Sequence, residues 1–339
     1  MWPYLVAILL FLVLIIIHEF GHFIAAKLLG VRVNEFAVGF GPRLFSKKWG
    51  ETNYAFNLVP LGGYCAMEGE DEDSSDDKAF CNKAPWRRFL IVVMGAVFNL
   101  LLGVIIVAII LAPTERFTTT TIAQFNENAV SEQSGLQVND KILKVDGRKI
   151  FTTYDLSYAF TNVKDGKVDI LVERNGAKKE LDNVTFQTET YEDIDFLTVD
   201  FKVYGEEKTF GTYIKNTINT SISYCAVIWR SLIDLLSGKY GLSAVSGPVG
   251  VTVVIANAAK QSLRDLLPLM AFISINLGIF NLLPVPALDG GRLVFILFEM
   301  IFRKPIPQKH ESLVHTIGFV ALIGFMILIV AKDVLSLIF

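Results

Sequence analysis

The sequence predicts a polytopic α-helical membrane protein of about four transmembrane helices, with membrane-associated β-hairpins and an inserted β/α domain. Three observations predict it. First, 52% of the 339 residues are hydrophobic and only 19% are charged. Mean hydropathy is +0.47, too apolar for an ordinary soluble chain. Second, four stretches approach the roughly 20 helical residues that cross a bilayer. Third, polar, turn-punctuated sequence with strand-like alternation separates them, at 31–67 and 115–203. A net charge of -3 argues against nucleic acid as a partner. The cysteines, Cys65, Cys81 and Cys225, contain no C-x-x-C pair, so neither a disulfide framework nor a thiolate zinc site is indicated.

The first segment, 1–30, is apolar from Tyr4 to Ile17 and closes on His18-Glu19-Phe20-Gly21-His22. No Lys or Arg precedes Lys27, so the basic region of a cleaved signal peptide is missing. Residues 31–88 begin with hairpins punctuated by Gly41-Pro42 and Gly62-Gly63, apolar enough to dip into the membrane or line a cavity. The acidic stretch 68–78 follows. It is expected to be a solvated linker, since it lacks the ligand order of an EF-hand. The second span is 89–113, with Asn99 its main polar interruption.

Residues 115–203 are expected to fold as a compact extracytoplasmic domain with a hairpin turn at Asn175-Gly176. Residues 204–262 hold a helix and a linker. Ile214, Ile218, Ile222, Ile228 and Leu232 recur there at helical spacing, as in a helix lying on the outer membrane surface. The alternative is a helix packed on the domain before it. Ser246-Gly247-Pro248-Val249-Gly250 is expected to break the chain. A third span of about 266–283 opens a Pro-broken segment reaching 302, and 310–339 is the fourth span. Lys27, Arg32, Arg87 and Arg88 flank the first loop, and Arg292, Arg303, Lys304 and Lys309 lie between the third and fourth spans. The positive-inside rule makes both loops cytoplasmic and puts both termini and 113–265 outside.

His18 and His22 stand four apart, so on a helix they share a face about 6 Å apart and can ligate one metal ion. Glu19, about 100° round, can reach metal-bound water. Ionisable groups at membrane depth usually mark function. A catalytic zinc takes three protein ligands and keeps one position open. Asp289 is the best third ligand. It follows Asn281, Pro284 and Pro286 on non-helical backbone and precedes Gly290-Gly291. Such backbone at membrane depth is tolerated where it lines a cavity. The plainer role for Asp289 is a cap on a helix starting at Gly290. His310 and His315 are rival ligands, expected at the surface beside Lys309. Asn276 and Asn281 are placed to brace an unwound strand or an oxyanion.

Taken together, HEFGH (18–22), GFGP (39–42), PLGGY (60–64), SGPVG (246–250) and SINLGIFNLLPVPALDGG (274–291) resemble the site-2 protease family of intramembrane zinc metalloproteases, over essentially the whole chain. The likeness is to its bacterial group typified by the regulator of sigma E protease. Ser134, Gly135, Leu136, Asp140, Ile142, Val145 and Gly147 fall in a run similar to PDZ domains, here a single one. The resemblance implies Zn2+ held by His18, His22 and Asp289, Glu19 as catalytic acid/base, and Asn276 and Asn281 as substrate-binding residues. It also implies a bacterial inner-membrane enzyme in the lipid bilayer that cleaves single-pass membrane proteins, such as anti-sigma factors or signal-peptide remnants. The PDZ-like domain would bind substrate ends. Many family members have two PDZ domains, so a double-domain size filter does not carry over. Two other functions are a membrane zinc transporter, which would show paired sites or an inverted repeat, and a non-enzymatic PDZ scaffold, which leaves Glu19 and Asp289 without a role.

Overall fold

The computed structural model describes residues 2–70, 72–161, 163, 165–191, 194–238, 245–262, 264–304 and 306–338. In chain order its elements are α1 (Trp2–Leu28), β1 (Val33–Trp49), β2 (Thr52–Met67), α2 (Pro85–Leu111), β3 (Arg116–Phe125), α3 (Val130–Gln133), β4 (Lys141–Val145), β5 (Arg148–Lys149), α4 (Thr153–Ala159), β6 (Lys167–Arg174), β7 (Ala177–Thr185), β8 (Thr188–Tyr191), β9 (Ile194–Leu197), β10 (Phe201–Glu207), α5 (Phe210–Leu236), α6 (Pro248–Gln261), α7 (Leu266–Asn281), α8 (Asp289–Phe302) and α9 (Gln308–Ile338). They form two compact units, residues 1–106 with 235–339, and residues 107–234.

In the first unit, α1, α2 and Lys309–Leu335 of α9 are long and apolar enough to cross a membrane. Each of these three stretches has 27 residues, about 40 Å of helix. The expected third span is interrupted. Helix α7 has only 16 residues and stops at Asn281. Pro284 has no N–H to donate, and a proline disfavours helix in the residue before it. Helix resumes only at Asp289. The SGPVG segment starts a helix instead of breaking the chain. Pro248 opens α6, because a proline in the first turn costs no hydrogen bond and presets φ.

Two apolar clusters hold this unit. Ala25, Val33, Met67, Ile91, Val92 and Leu293 join α1, the hairpin, α2 and α8. Leu10, Leu14, Ile255, Ala259 and Leu266 join α1 to α6 and α7. In the hairpin, β1 pairs with β2 through an irregular register. Residues 53–56 pair with both 35–38 and 45–48, so the chain doubles back between those two stretches. It does so at Gly39 and Gly41, whose φ values are +82° and +84°, a region where glycine pays no Cβ penalty. Residues 63–66 cover the other edge of 35–38.

The acidic stretch is solvated, as expected, with Glu72, Asp73, Ser75, Asp77 and Lys78 exposed, and it is also tied down by ion pairs. Arg32 Nη1 meets Asp76 at 2.6 Å and Lys78 Nζ meets Glu51 at 3.2 Å. Asn34 donates to Glu68, and Phe80 just beyond is buried. Asp71, within that stretch, lies outside the described residues.

The second unit is a sheet in the order β10-β3-β4-β6-β7, with β5 on β4, around a core that includes Ile122, Leu136, Ile142, Phe160, Ile170 and Val184. The Asn175-Gly176 turn joins β6 to β7 as expected. Both residues have positive φ, 52° and 81°, as a type I′ hairpin requires. Asp140 is fully buried and pairs with Arg174 Nη2 at 2.7 Å, which raises the Arg174 pKa. Thr152 caps α4, and Asp155 accepts the Thr152 N–H in return.

Helix α5 docks on this unit by its polar face. Ser223 donates to Asp155 at 2.5 Å, Arg230 lies 3.4 Å from the same carboxylate, and Arg148 bonds Asp234. Of the expected stripe, Ile214, Ile218 and Ile222 are exposed, together with Phe210, Trp229, Ile233 and Leu236, whereas Ile228 is buried against the domain because it falls on the docked face.

Candidate metal centre

Helix α1 brings His18 and His22 onto one buried face, as the four-residue spacing predicts. The α7–α8 break brings Asp289 to them. His18 Nε2 lies 3.1 Å from Asp289 Oδ2 and His22 Nε2 lies 3.3 Å from it. The two Nε2 atoms are 3.2 Å apart. Among the described residues, this is the cluster of His, Cys, Asp and Glu that can hold a metal ion.

The donor set fits zinc. Ligands at roughly 2.0–2.1 Å from a tetrahedral zinc stand about 3.3 Å from one another, close to the three edges just given. Asp289 Oδ2 is buried and has no hydrogen-bond partner among the described residues. His22 Nδ1 lies 2.9 Å from the Ile91 carbonyl. Donating its proton there fixes the tautomer and leaves Nε2 as a lone pair aimed at the cluster.

A cavity of about 340 Å³ opens beside His22 and Asp289. Glu19 lines it with His22, Asp289 and β2 residues 64–67. Tyr64 donates to Glu35 at 2.6 Å, and that bond pushes its phenol pKa up. Burial pushes the Cys65 thiol up, which makes it a poor nucleophile.

The other expected residues divide. Asn281 Nδ2 approaches His18 Nδ1 and Nε2 at 3.4 and 3.5 Å. Asn276 is half-buried on α7 and makes no hydrogen bond to the ligands among the described residues. Asp289 is the first residue of α8 and does not cap it; Leu288 holds that position without a side-chain bond. His310 is exposed. His315 departs from the expected surface position. It is half-buried, and its Nδ1 accepts the Ala287 N–H at 3.0 Å. Ala287 has φ +76°, a left-handed conformation that costs a non-glycine residue of order 1 kcal/mol. His315 therefore pins the strained turn two residues before Asp289. Nothing in the sequence signalled this, because the contact depends on α9 packing over the turn.

Fold and site together define a helical protein with three helices long and apolar enough to cross a membrane and a His-His-Asp cluster that could hold a metal ion. The chain belongs to peptidase family M50, the site-2 protease family, which it matches over residues 6–325. It is 37% identical over 333 residues to a protein of Clostridium perfringens, with 97% of each chain covered. It is 34% identical to one of Fusobacterium nucleatum over 98% and 99% of the two chains. A third, from Campylobacter jejuni, is 31% identical over 98% of this chain and 93% of its own. All three bear the name "Putative zinc metalloprotease". The protein is thus a zinc-dependent protease, which sets the transporter and scaffold alternatives aside.

Proposed function

We propose that the chain is an intramembrane zinc endopeptidase that cuts transmembrane segments of single-pass proteins in a bacterial cytoplasmic membrane. One observation carries this: His18 and His22 stand on a 27-residue apolar helix, and Asp289, which meets them, opens a second apolar helix just after the proline break. On this reading α1, α2, the broken α7–α8 pair and α9 make about four crossings. Residues 115–203 are a single extracytoplasmic PDZ-like domain, and the site lies toward the cytoplasmic side.

His18, His22 and Asp289 would hold the zinc, which would supply a Lewis acid to polarise the scissile carbonyl and acidify water. Glu19, in the cavity wall, takes the proton of the attacking water and returns it to the leaving amine. A helical substrate hides its amides in its own hydrogen bonds, so it must unwind before it is cut. β2 residues 64–67 line the cavity and offer a strand beside which the unwound segment can lie. Asn281, next to His18, holds that segment or the developing oxyanion. Asn276 steadies the same strand from one helical turn and more away.

The test is cleavage of a single-pass substrate in proteoliposomes. Glu19→Gln is expected to lower the rate by at least about 10²–10⁴-fold while bound zinc stays at the wild-type level. Full activity in that variant would sink the mechanism.

A further inference from the structure

We propose that Asn99 is a positioning residue for the zinc ligand His18: its side-chain oxygen accepts the His18 Nδ1 proton and so leaves Nε2 free to ligate. The inference rests on the metal-centre assignment above and adds to it a residue from the second apolar helix.

Three residues of α2 at four-residue spacing, 91, 95 and 99, share one helix face, and all three meet the imidazoles of α1. Ile91 accepts from His22 Nδ1. Gly95 leaves room for both rings; a Cβ there would fall 2.3 Å from His22 Nε2 and 2.8 Å from His18 Cε1. Asn99, 1% exposed, puts its side-chain amide 3.5 Å from His18 Nδ1. Its backbone is pinned by Ser274, whose hydroxyl donates to the Asn99 carbonyl at 2.7 Å.

A neutral imidazole that ligates through Nε2 carries its proton on Nδ1 and needs an acceptor there. His22 has one in the Ile91 carbonyl. His18 requires its counterpart. With the amide nitrogen of Asn99 toward His18, two donors would face each other, while Asn99 Oδ1 is buried without a partner among the described residues. A buried unpaired oxygen costs about 1–3 kcal/mol. The oxygen and nitrogen of an amide exchange places by a half-turn about the last side-chain torsion. That half-turn replaces the opposed donors with one hydrogen bond and uses the orphaned oxygen. Asn281 does not fill this role. Its amide is nearly equidistant from both ring nitrogens of His18 and so lies along the lone pair of neither.

The experiment is zinc titration of the detergent-solubilised full chain against a chromophoric chelator, with thermal melting of the metal-free protein alongside. Asn99→Leu keeps the volume and removes the acceptor; it is expected to weaken zinc binding by about 10–100-fold and to leave the metal-free melting temperature unchanged. Asn99→Asp restores an acceptor and is expected to bind zinc within about threefold of wild type, as carboxylate–histidine–zinc triads do. Wild-type affinity in Asn99→Leu overturns the proposal. So does an Asn99→Asp variant as weak as Asn99→Leu, or a metal-free Asn99→Leu protein that melts far below wild type, since the loss then lies in helix packing. Zinc binding that survives His18→Ala would overturn the centre itself, a result separate from all of these.

Discussion

Gly95 has no side chain, and the imidazoles of His18 and His22 occupy the space where one would be. Alanine is the better helix former by about 1 kcal/mol, so Gly95→Ala should leave α2 as helical as before or more so. The added methyl must nevertheless displace both rings from Asp289. The expected outcome is unchanged helical circular dichroism with zinc affinity lowered by about 10–100-fold, read by the same chelator titration. Unchanged affinity would show that the rings move without cost. At this scale the sequence was uneven as a guide. His18, Glu19 and His22 were legible because their geometry is local, fixed by one helical turn. Asp289 was legible from the prolines and glycines around it. Gly95, Asn99 and His315 were not, because each acts on a residue of another helix, and no periodicity in one segment reports what packs against it.

Helix α5 carries its polarity in an unusual sense. Thr217, Thr220, Ser221 and Ser223 are buried, whereas Ile218, Ile222, Trp229 and Ile233 are exposed. The sequence offered two settings for this helix, the membrane surface or the face of the domain before it. The polar bonds to Asp155 and Arg148 satisfy the second and leave the apolar stripe for the first. Its start is also tied to the end of α2: Tyr213 donates to the Ala108 carbonyl at 2.7 Å, and Lys208 donates to that of Ala112. A stripe that begins at the end of a spanning helix is suited to lie in the lipid headgroup region. Trp229 reports on this directly. With Trp2, Trp49 and Trp86 changed to phenylalanine, the remaining indole is expected to be quenched by lipids brominated near the headgroup and to emit to the blue of free tryptophan. Red emission without quenching would place the stripe in water. The α7–α8 break was easier to foresee than α5, because proline ends a helix for local reasons, whereas the burial of α5 depends on which of two faces finds a partner.

The 115–203 segment enters and leaves the chain at one place. Arg116 pairs with Glu207 across β3 and β10, and Lys208 donates its N–H to Glu115 at 3.0 Å. Paired residues of antiparallel strands stand about 5 Å apart, so a few glycines and serines can replace 117–206 without pulling α2 from α5. The proposed ligands His18, His22 and Asp289 belong to the other unit, and the shortened chain is expected to bind zinc as the full one does. If this domain, PDZ-like on the proposed reading, admits only substrates already trimmed outside the membrane, its removal should allow cleavage of untrimmed ones. The measurement compares a membrane substrate carrying a bulky extracytoplasmic part with its trimmed form, both cut by the full and the shortened enzyme. The full enzyme is expected to cut only the trimmed form at an appreciable rate, and the shortened enzyme to cut both at similar rates. A shortened enzyme that still requires trimming would move the filter out of this domain and into the membrane unit. The cavity mouth, β2 and the α7–α8 turn would then have to reject bulky chains by themselves.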